Sequence, residues 1–184
     1  PSSGRTLNGL TAVVVGGGGI AQEYIRLLKT WDVHVTAVRR RAGDVPGADR
    51  TVTTDRLDEV LPGAQVVMIA AAATEETRGM FDADRLALLD EDAVLVNVAR
   101  GALVDTDAVV EALAAGRLHG YGTDVTDPEP LPENHPLWGT PNTLITPHVG
   151  GDTSAFEPRV VKILAEQVRR INDGEKLLNV VAED

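Results

Sequence analysis

The sequence predicts an α/β fold built on a doubly wound parallel sheet, and three observations carry that expectation. Short β-branched runs alternate with stretches whose apolar residues recur at helical spacing. Four consecutive glycines, Gly16 to Gly19, join the first strand-like run to the first helix-like one. The apolar content is 43% of 184 residues and almost wholly aliphatic, with 3% aromatic, which suits close helix-on-sheet packing. That length accommodates one generous domain, since domains cluster at roughly 100 to 150 residues.

Thr11 to Val15 reads as a strand, the glycines as a tight turn, Ala21 to Trp31 as a helix and Val33 to Val38 as a second strand. Together they make one βαβ unit with parallel strands. Val66 to Ala71 and Ala93 to Val98 are apolar almost throughout, as strands covered on both faces are. Asp105 to Ala115 is an amphipathic helix leading to a further strand that ends near Asp124. Their connections are expected to be right-handed crossovers. From Thr126 to Pro147 the prolines 128, 130, 132, 136, 141 and 147 interrupt regular structure, and a long irregular segment in a compact domain is usually functional. Thr143 to Thr146 is a last short strand, and Thr153 to Ile171 is a long C-terminal helix. Gly174 stands where that helix stops.

The formal net charge of -11 opposes binding to phosphate backbones and anionic lipid, so neither nucleic acid nor a membrane is an expected partner. With no cysteine there is no disulfide framework, thiolate nucleophile or cysteine zinc site, which fits a cytoplasmic protein, and no metal is expected. The longest apolar run, Val66 to Ala73, is too short to span a bilayer, and the first residues lack signal-peptide character.

The glycine turn has the form Gly16-x-Gly18-x-x-Ala21. Gly16 permits the sharp turn, Gly18 lets the backbone approach a pyrophosphate, and Ala21 allows close helix-strand packing. The free N-H groups of Gly19 and Ile20 at the helix start then face the anion, aided by the helix dipole. The expected ligand is a nicotinamide dinucleotide. At the end of the second strand such units usually offer an acid to the ribose 2′-hydroxyl, yet here stand Arg39, Arg40 and Arg41. A guanidinium fork pairs with a 2′-phosphate that a carboxylate would repel, so NADP is expected over NAD, which stays possible. Three further residues close apolar strands at the end where doubly wound folds bind ligands: Arg100 after Asn97-Val98-Ala99, Asp124, and His148 after Ile145-Thr146-Pro147. Taken singly, each is ordinarily a solvated loop residue.

Together the glycine turn, Asn97 to Gly101, Asp124 to Pro132, His135 to Trp138 and Thr146 to Gly151 resemble the D-isomer-specific 2-hydroxyacid dehydrogenases nearly end to end. The resemblance implies a Rossmann dinucleotide-binding domain over residues 5–150. It also implies that residues 151–184 form a helix and tail returning to a substrate domain. It places Arg100, Glu129 and His148 at the catalytic positions. Gly16, Gly18, Gly19, Ile20, Arg39, Arg40, Val98, Ala99, Asp124 and Gly150 fall at cofactor-binding ones. In that chemistry a hydride passes from the nicotinamide to a small 2-keto acid of the glyoxylate or hydroxypyruvate kind, and the histidine provides a proton. The glutamate raises the histidine's pKa, and the arginine holds the substrate carboxylate. A homodimer formed through the cofactor half is also implied. The alternative is a nucleotide-sensing scaffold like the family's transcriptional corepressor, while Glu129, where formate dehydrogenase has Gln, disfavours that enzyme.

The sequence departs from the family at three places. Arg39 replaces the usual acid, Ala72 stands where relatives carry Pro in a loop lining the nicotinamide ribose, and Thr126 replaces an aromatic. Only fifteen residues precede Gly16. A substrate domain, on the order of 100 residues, is therefore expected to be missing, and with it most turnover.

Overall fold

The computed structural model describes residues 4–178 and 180. The chain divides into two compact units, Pro1–Pro147 and His148–Asp184. The first unit holds seven strands: β1 (Thr11–Val15), β2 (His34–Arg39), β3 (Arg50–Thr53), β4 (Val66–Ile69), β5 (Val94–Asn97), β6 (Gly120–Thr123) and β7 (Thr143–Ile145). Between them lie α1 (Gly19–Lys29), α2 (Leu57–Val60), α3 (Ala83–Leu86) and α4 (Thr106–Ala114), and the second unit holds α5 (Phe156–Asn172).

All strands are parallel, in the order β3-β2-β1-β4-β5-β6-β7. The order reverses at β1, which β2 and β4 flank, and ligands of such sheets bind beyond the strand ends at this point. Successive side chains of a strand point to opposite faces, and β1 shows the consequence. Val13 and Val15 join the core cluster on one face with Ile69, Leu95 and Phe81, while Ala12 and Val14 join the other with Ala21 and Ile25 of α1. A strand buried on both faces has no polar side to display, hence its continuous apolar run.

Several boundaries differ from the sequence-based expectation. α1 begins two residues before Ala21, because the helix opens inside the glycine turn, with Gly18 as its N-cap, where no apolar spacing marks it, and Trp31 lies past its end, half exposed. β3, α2 and α3 are four residues each and were not anticipated. In β3 only Val52 is buried, so an edge strand this short carries no alternating pattern. The proline-rich segment contains only a 3-10 turn, Pro136–Gly139, before β7. α5 ends at Asn172 with Asp173 as its C-cap, and Gly174 follows in the left-handed region at φ +67°. In that second unit Arg169 pairs with Glu166, Asp173 and Glu175, and Gln167 exchanges hydrogen bonds with the Leu178 main chain, folding the tail back along its helix. Among the described residues no helix is long and apolar enough to cross a membrane.

Candidate active site

The C-terminal ends of β1, β2, β4, β5 and β6 place most of the sequence-identified residues at one edge of the sheet. At β1, Gly16 adopts φ +130°, and a Cβ there would come within 2.5 Å of the Ala70 carbonyl oxygen, so the position admits only glycine. Its N-H donates to the Val38 carbonyl at 2.7 Å, tying the turn to β2. Gly18 is the N-cap of α1 without any side-chain cap, and the first turn carries no acid. Nothing stands within 4 Å of a Cβ built on Gly18 or Gly19. The helix therefore presents free N-H groups and the positive end of its dipole to open space, as an anion requires. Ile20 stands beside them, 62% exposed, an apolar surface at the mouth of the turn.

Arg39 is the last residue of β2 and half-buried. A Cβ built on Gly17 would lie 3.6 Å from its Nε, so the guanidinium stem crosses the glycine turn itself. Its Nη1 donates to the Asp44 carbonyl at 3.4 Å. Arg40 follows, exposed.

At β5 the loop is shaped by a residue that sequence reasoning passed over. Asn97 is fully buried, and its Oδ1 accepts from the Ala99 N-H at 3.0 Å while its Nδ2 donates to the Arg100 carbonyl at 2.9 Å. Both bonds close the loop around Val98 and Ala99 and aim Arg100 outward. Thr123 of β6 donates to the Asn97 carbonyl at 3.0 Å and accepts from the Val125 N-H, joining the two loops. Burial raises the pKa of the neighbouring Tyr121 phenol above its ordinary value. The one available signal was chemical: an asparagine or threonine closing an apolar strand needs partners, and the adjacent loop supplies them. The exposed Arg100 folds Nη1 onto the carbonyl of Ala99 at 2.6 Å.

Asp124 follows β6, and its Oδ1 is buried without a hydrogen-bond partner among the described residues. Leaving such an oxygen unsatisfied costs roughly 1–3 kcal/mol. A buried acceptor held open at the mouth of a sheet suits a ligand amide donor, and the carboxamide of a nicotinamide is one. With the open cradle at Gly18, this residue set fits a dinucleotide.

Gly101 packs against the main chain of Thr126 and Asp127, which holds the start of the segment carrying Glu129 against the residue after Arg100. The loop after β4 is braced by Thr77, whose Oγ1 accepts from the Thr74 N-H and donates to the Ala72 carbonyl, both at 2.8 Å. Those two bonds tie the loop on either side of Ala73. Arg78 on the same loop faces Asp127 at 3.6 Å. Trp138 anchors its own loop, donating Nε1 to the Pro132 carbonyl at 2.9 Å while its ring stays half exposed. His135 Nδ1 accepts from the Leu137 N-H at 3.1 Å. His148 and Gly150 open the second unit, both exposed.

Comparison with known proteins gives these features a family. Residues 1–150 match the family model of the D-isomer specific 2-hydroxyacid dehydrogenase, NAD binding domain. The mitochondrial formate dehydrogenase 2 of Oryza sativa subsp. japonica is 36% identical over 172 residues, 92% of this chain and 45% of the relative. Glyoxylate/hydroxypyruvate reductase A of Klebsiella pneumoniae (strain 342) is 30% identical over 165 residues, 90% of this chain and 52% of the relative. The crystal structure of a D-isomer specific 2-hydroxyacid dehydrogenase from Xanthobacter autotrophicus Py2, in complex with NADPH and MES, superimposes with a TM-score of 0.88 at 32% identity. The match covers 99% of this chain and 74% of that one. The chain thus spans about half the length of the curated relatives it matches. It belongs to the D-isomer-specific 2-hydroxyacid dehydrogenases and carries their NAD-binding domain.

Proposed function

We propose that this chain is the cofactor-binding part of an NADP-preferring reductase of small 2-keto acids, glyoxylate and hydroxypyruvate among them. The observation that carries the cofactor preference is Arg39, a guanidinium lying across the glycine turn where a carboxylate would reject a 2′-phosphate. Similarity to the Klebsiella reductase supports the substrate class, and no observation favours the nucleotide-sensing scaffold over it.

When bound, the nicotinamide supplies the hydride. The chain's own residues do the rest. Arg100, aimed out of the β5 loop by Asn97, takes the substrate carboxylate and polarises the keto oxygen. His148 holds the proton that the oxygen receives, and Glu129 fills the acid position of the set. Asp124 and the exposed Ile20 and Gly150, with Val98 and Ala99, orient and cover the cofactor, while Gly16, Gly18 and Gly19 receive its pyrophosphate. Arg40 is placed with Arg39 on the ribose side.

A homodimer is part of the same proposal, supported by Leu27 on α1 and Trp31 just beyond it, large apolar groups about half exposed. So is a cytoplasmic location, which suits a chain without cysteine.

Titrating NADPH and NADH against the protein by nicotinamide fluorescence tests the preference. NADPH is expected to bind at least about tenfold tighter, the effect of one charge-assisted pair. NADH binding as tight or tighter overturns it. In the whole enzyme, His148→Ala is expected to lower kcat by orders of magnitude with cofactor affinity unchanged. Retained turnover would remove His148 from its role.

A further inference from the structure

One ion pair at the ends of the strands has no part in the cofactor and substrate contacts assigned above. Arg78, on the loop after β4, holds Nη1 3.6 Å from Oδ2 of Asp127, on the segment that carries Glu129. Both residues are exposed, and an isolated pair of that kind shifts an equilibrium by about fivefold at most. This pair differs in that backbone contacts on either side have already brought its partners together.

The loop after β4 starts against the glycine turn. The Ala70 N-H donates to the Val15 carbonyl at 2.8 Å, and a Cβ on Gly16 would lie 2.5 Å from the Ala70 carbonyl oxygen. Towards its far end the Arg78 N-H donates to the Thr74 carbonyl at 3.0 Å and the Gly79 N-H to the Ala102 carbonyl at 2.8 Å. Ala102 follows Gly101, where a Cβ would stand 2.4 Å from the Asp127 nitrogen. Backbone contacts therefore run from Arg78 through Gly79, Ala102 and Gly101 to Asp127. The ion pair closes that ring across its exposed side.

The charges around the ring give Arg78 its weight. From Leu118 to Pro158 there is no Lys or Arg, although the stretch contains Asp124, Asp127, Glu129 and Glu133. Its positive partners must come from other loops. From Leu57 to Asp84 the chain has Arg78 as its sole Lys or Arg, and Glu75 and Glu76 stand close before it. With Arg78 the loop after β4 attracts the acidic segment; without it the two would face each other with acids alone.

We propose that Arg78 and Asp127 are positioning residues, a strap that carries cofactor occupancy from the glycine turn to the segment bearing Glu129. A dinucleotide on the turn orders the loop after β4, and the strap orders the acidic segment with it. The proposal rests on the reading of the glycine turn and of Glu129 given above and adds the coupling between them.

The test is amide hydrogen exchange of this chain, read by NMR without cofactor, with saturating NADPH and with saturating NADH. It compares the parent with Arg78→Met, Asp127→Asn, Arg78→Lys and the exchanged pair, Arg78→Asp with Asp127→Arg. Both positions are exposed, so no variant strands a buried group. In the parent, cofactor is expected to slow the Asp127 and Glu129 amides about threefold, together with those from Ala71 to Arg78. In Arg78→Met and Asp127→Asn the slowing at Asp127 and Glu129 is lost, while that of the loop after β4 stays. Arg78→Lys and the exchanged pair are expected to restore most of it, because each keeps opposite charges face to face. Restoration by neither assigns the loss to packing and overturns the strap. Slowing at Asp127 and Glu129 that survives both single variants, or that is absent from the parent while the loop after β4 responds, also overturns it and leaves the cofactor reading standing. No slowing of the loop after β4 by either cofactor overturns both.

Discussion

Gly101 lies directly against the main chain of Thr126: a Cβ on Gly101 would stand 2.0 Å from the Thr126 carbonyl carbon and 2.2 Å from its oxygen. Side chains cannot relieve that approach, because both partners are backbone. The contact fixes the start of the segment that carries Glu129 against the residue that follows Arg100. Gly101→Ala is therefore expected to cost about 2–3 kcal/mol by overpacking, lowering Tm by roughly 5–10 °C for a chain of this size. A thermal melt checks it, and a Tm within a degree of the parent's would show that the two loops separate freely.

Asn97 satisfies two loop groups with one amide. Asn97→Ala strands the Ala99 N-H and the Arg100 carbonyl, with an expected loss of about 2 kcal/mol. Denaturant titration reads that loss as a lower midpoint at constant slope. An unchanged midpoint would mean that water or a neighbour replaces the amide.

Asp124 should show opposite signs in stability and binding. Its buried Oδ1 has no partner among the described residues, so Asp124→Ala removes a desolvated acceptor. The apo protein is expected to keep its Tm or gain a few degrees, while NADPH affinity falls about tenfold. Intact NADPH affinity would take Asp124 off the cofactor.

Thr77 is read by a pair of variants. Thr77→Val loses the bonds to Thr74 N-H and the Ala72 carbonyl, whereas Thr77→Ser keeps a hydroxyl in place. Hydrogen exchange of the Thr74 amide should accelerate about tenfold in the Val variant and stay near the parent rate in the Ser variant. Matching rates in both would show that the hydroxyl does not hold this loop.

Glu166 accepts hydrogen bonds from Arg169 and Arg170, and these cations pull its pKa from its ordinary value of 4.5 down to about 2. A folded pKa below the unfolded one gives stabilisation present above pH 4.5 and lost as pH falls through about 2. The end of α5 is thus expected to keep its ion pairs at pH 4 and fray towards pH 2, sooner in high salt. Carboxyl NMR reads the midpoint directly; titration of Glu166 near pH 4.5 would refute the pairing.

How much was legible in the sequence depends on whether the cause was local. The β1 turn could be read because its requirement, a chain with no Cβ between strand and helix, is met by adjacent glycines. β2 ends at Arg39, one residue past its expected end, because a basic residue does not register in an apolar pattern although the ladder to Thr53 continues through it. β3 escaped notice for the converse reason. Its order comes from pairing with β2 rather than from any periodicity of its own four residues.

By itself the sequence determined the doubly wound class, the glycine turn, the identity of Arg100, Asp124, Glu129 and His148 as strand-end or loop residues, and the arginines at the end of β2. Those follow from local pattern and residue chemistry. Only the tertiary structure decided that Gly101 meets Thr126, that Asn97 and Thr123 bind two loops together, that Arg39 lies across Gly17, and that Arg78 faces Asp127. These are contacts between residues far apart in the chain. Such contacts form when strands take neighbouring places in the sheet, a choice set by burial of the whole core rather than by the residues that meet.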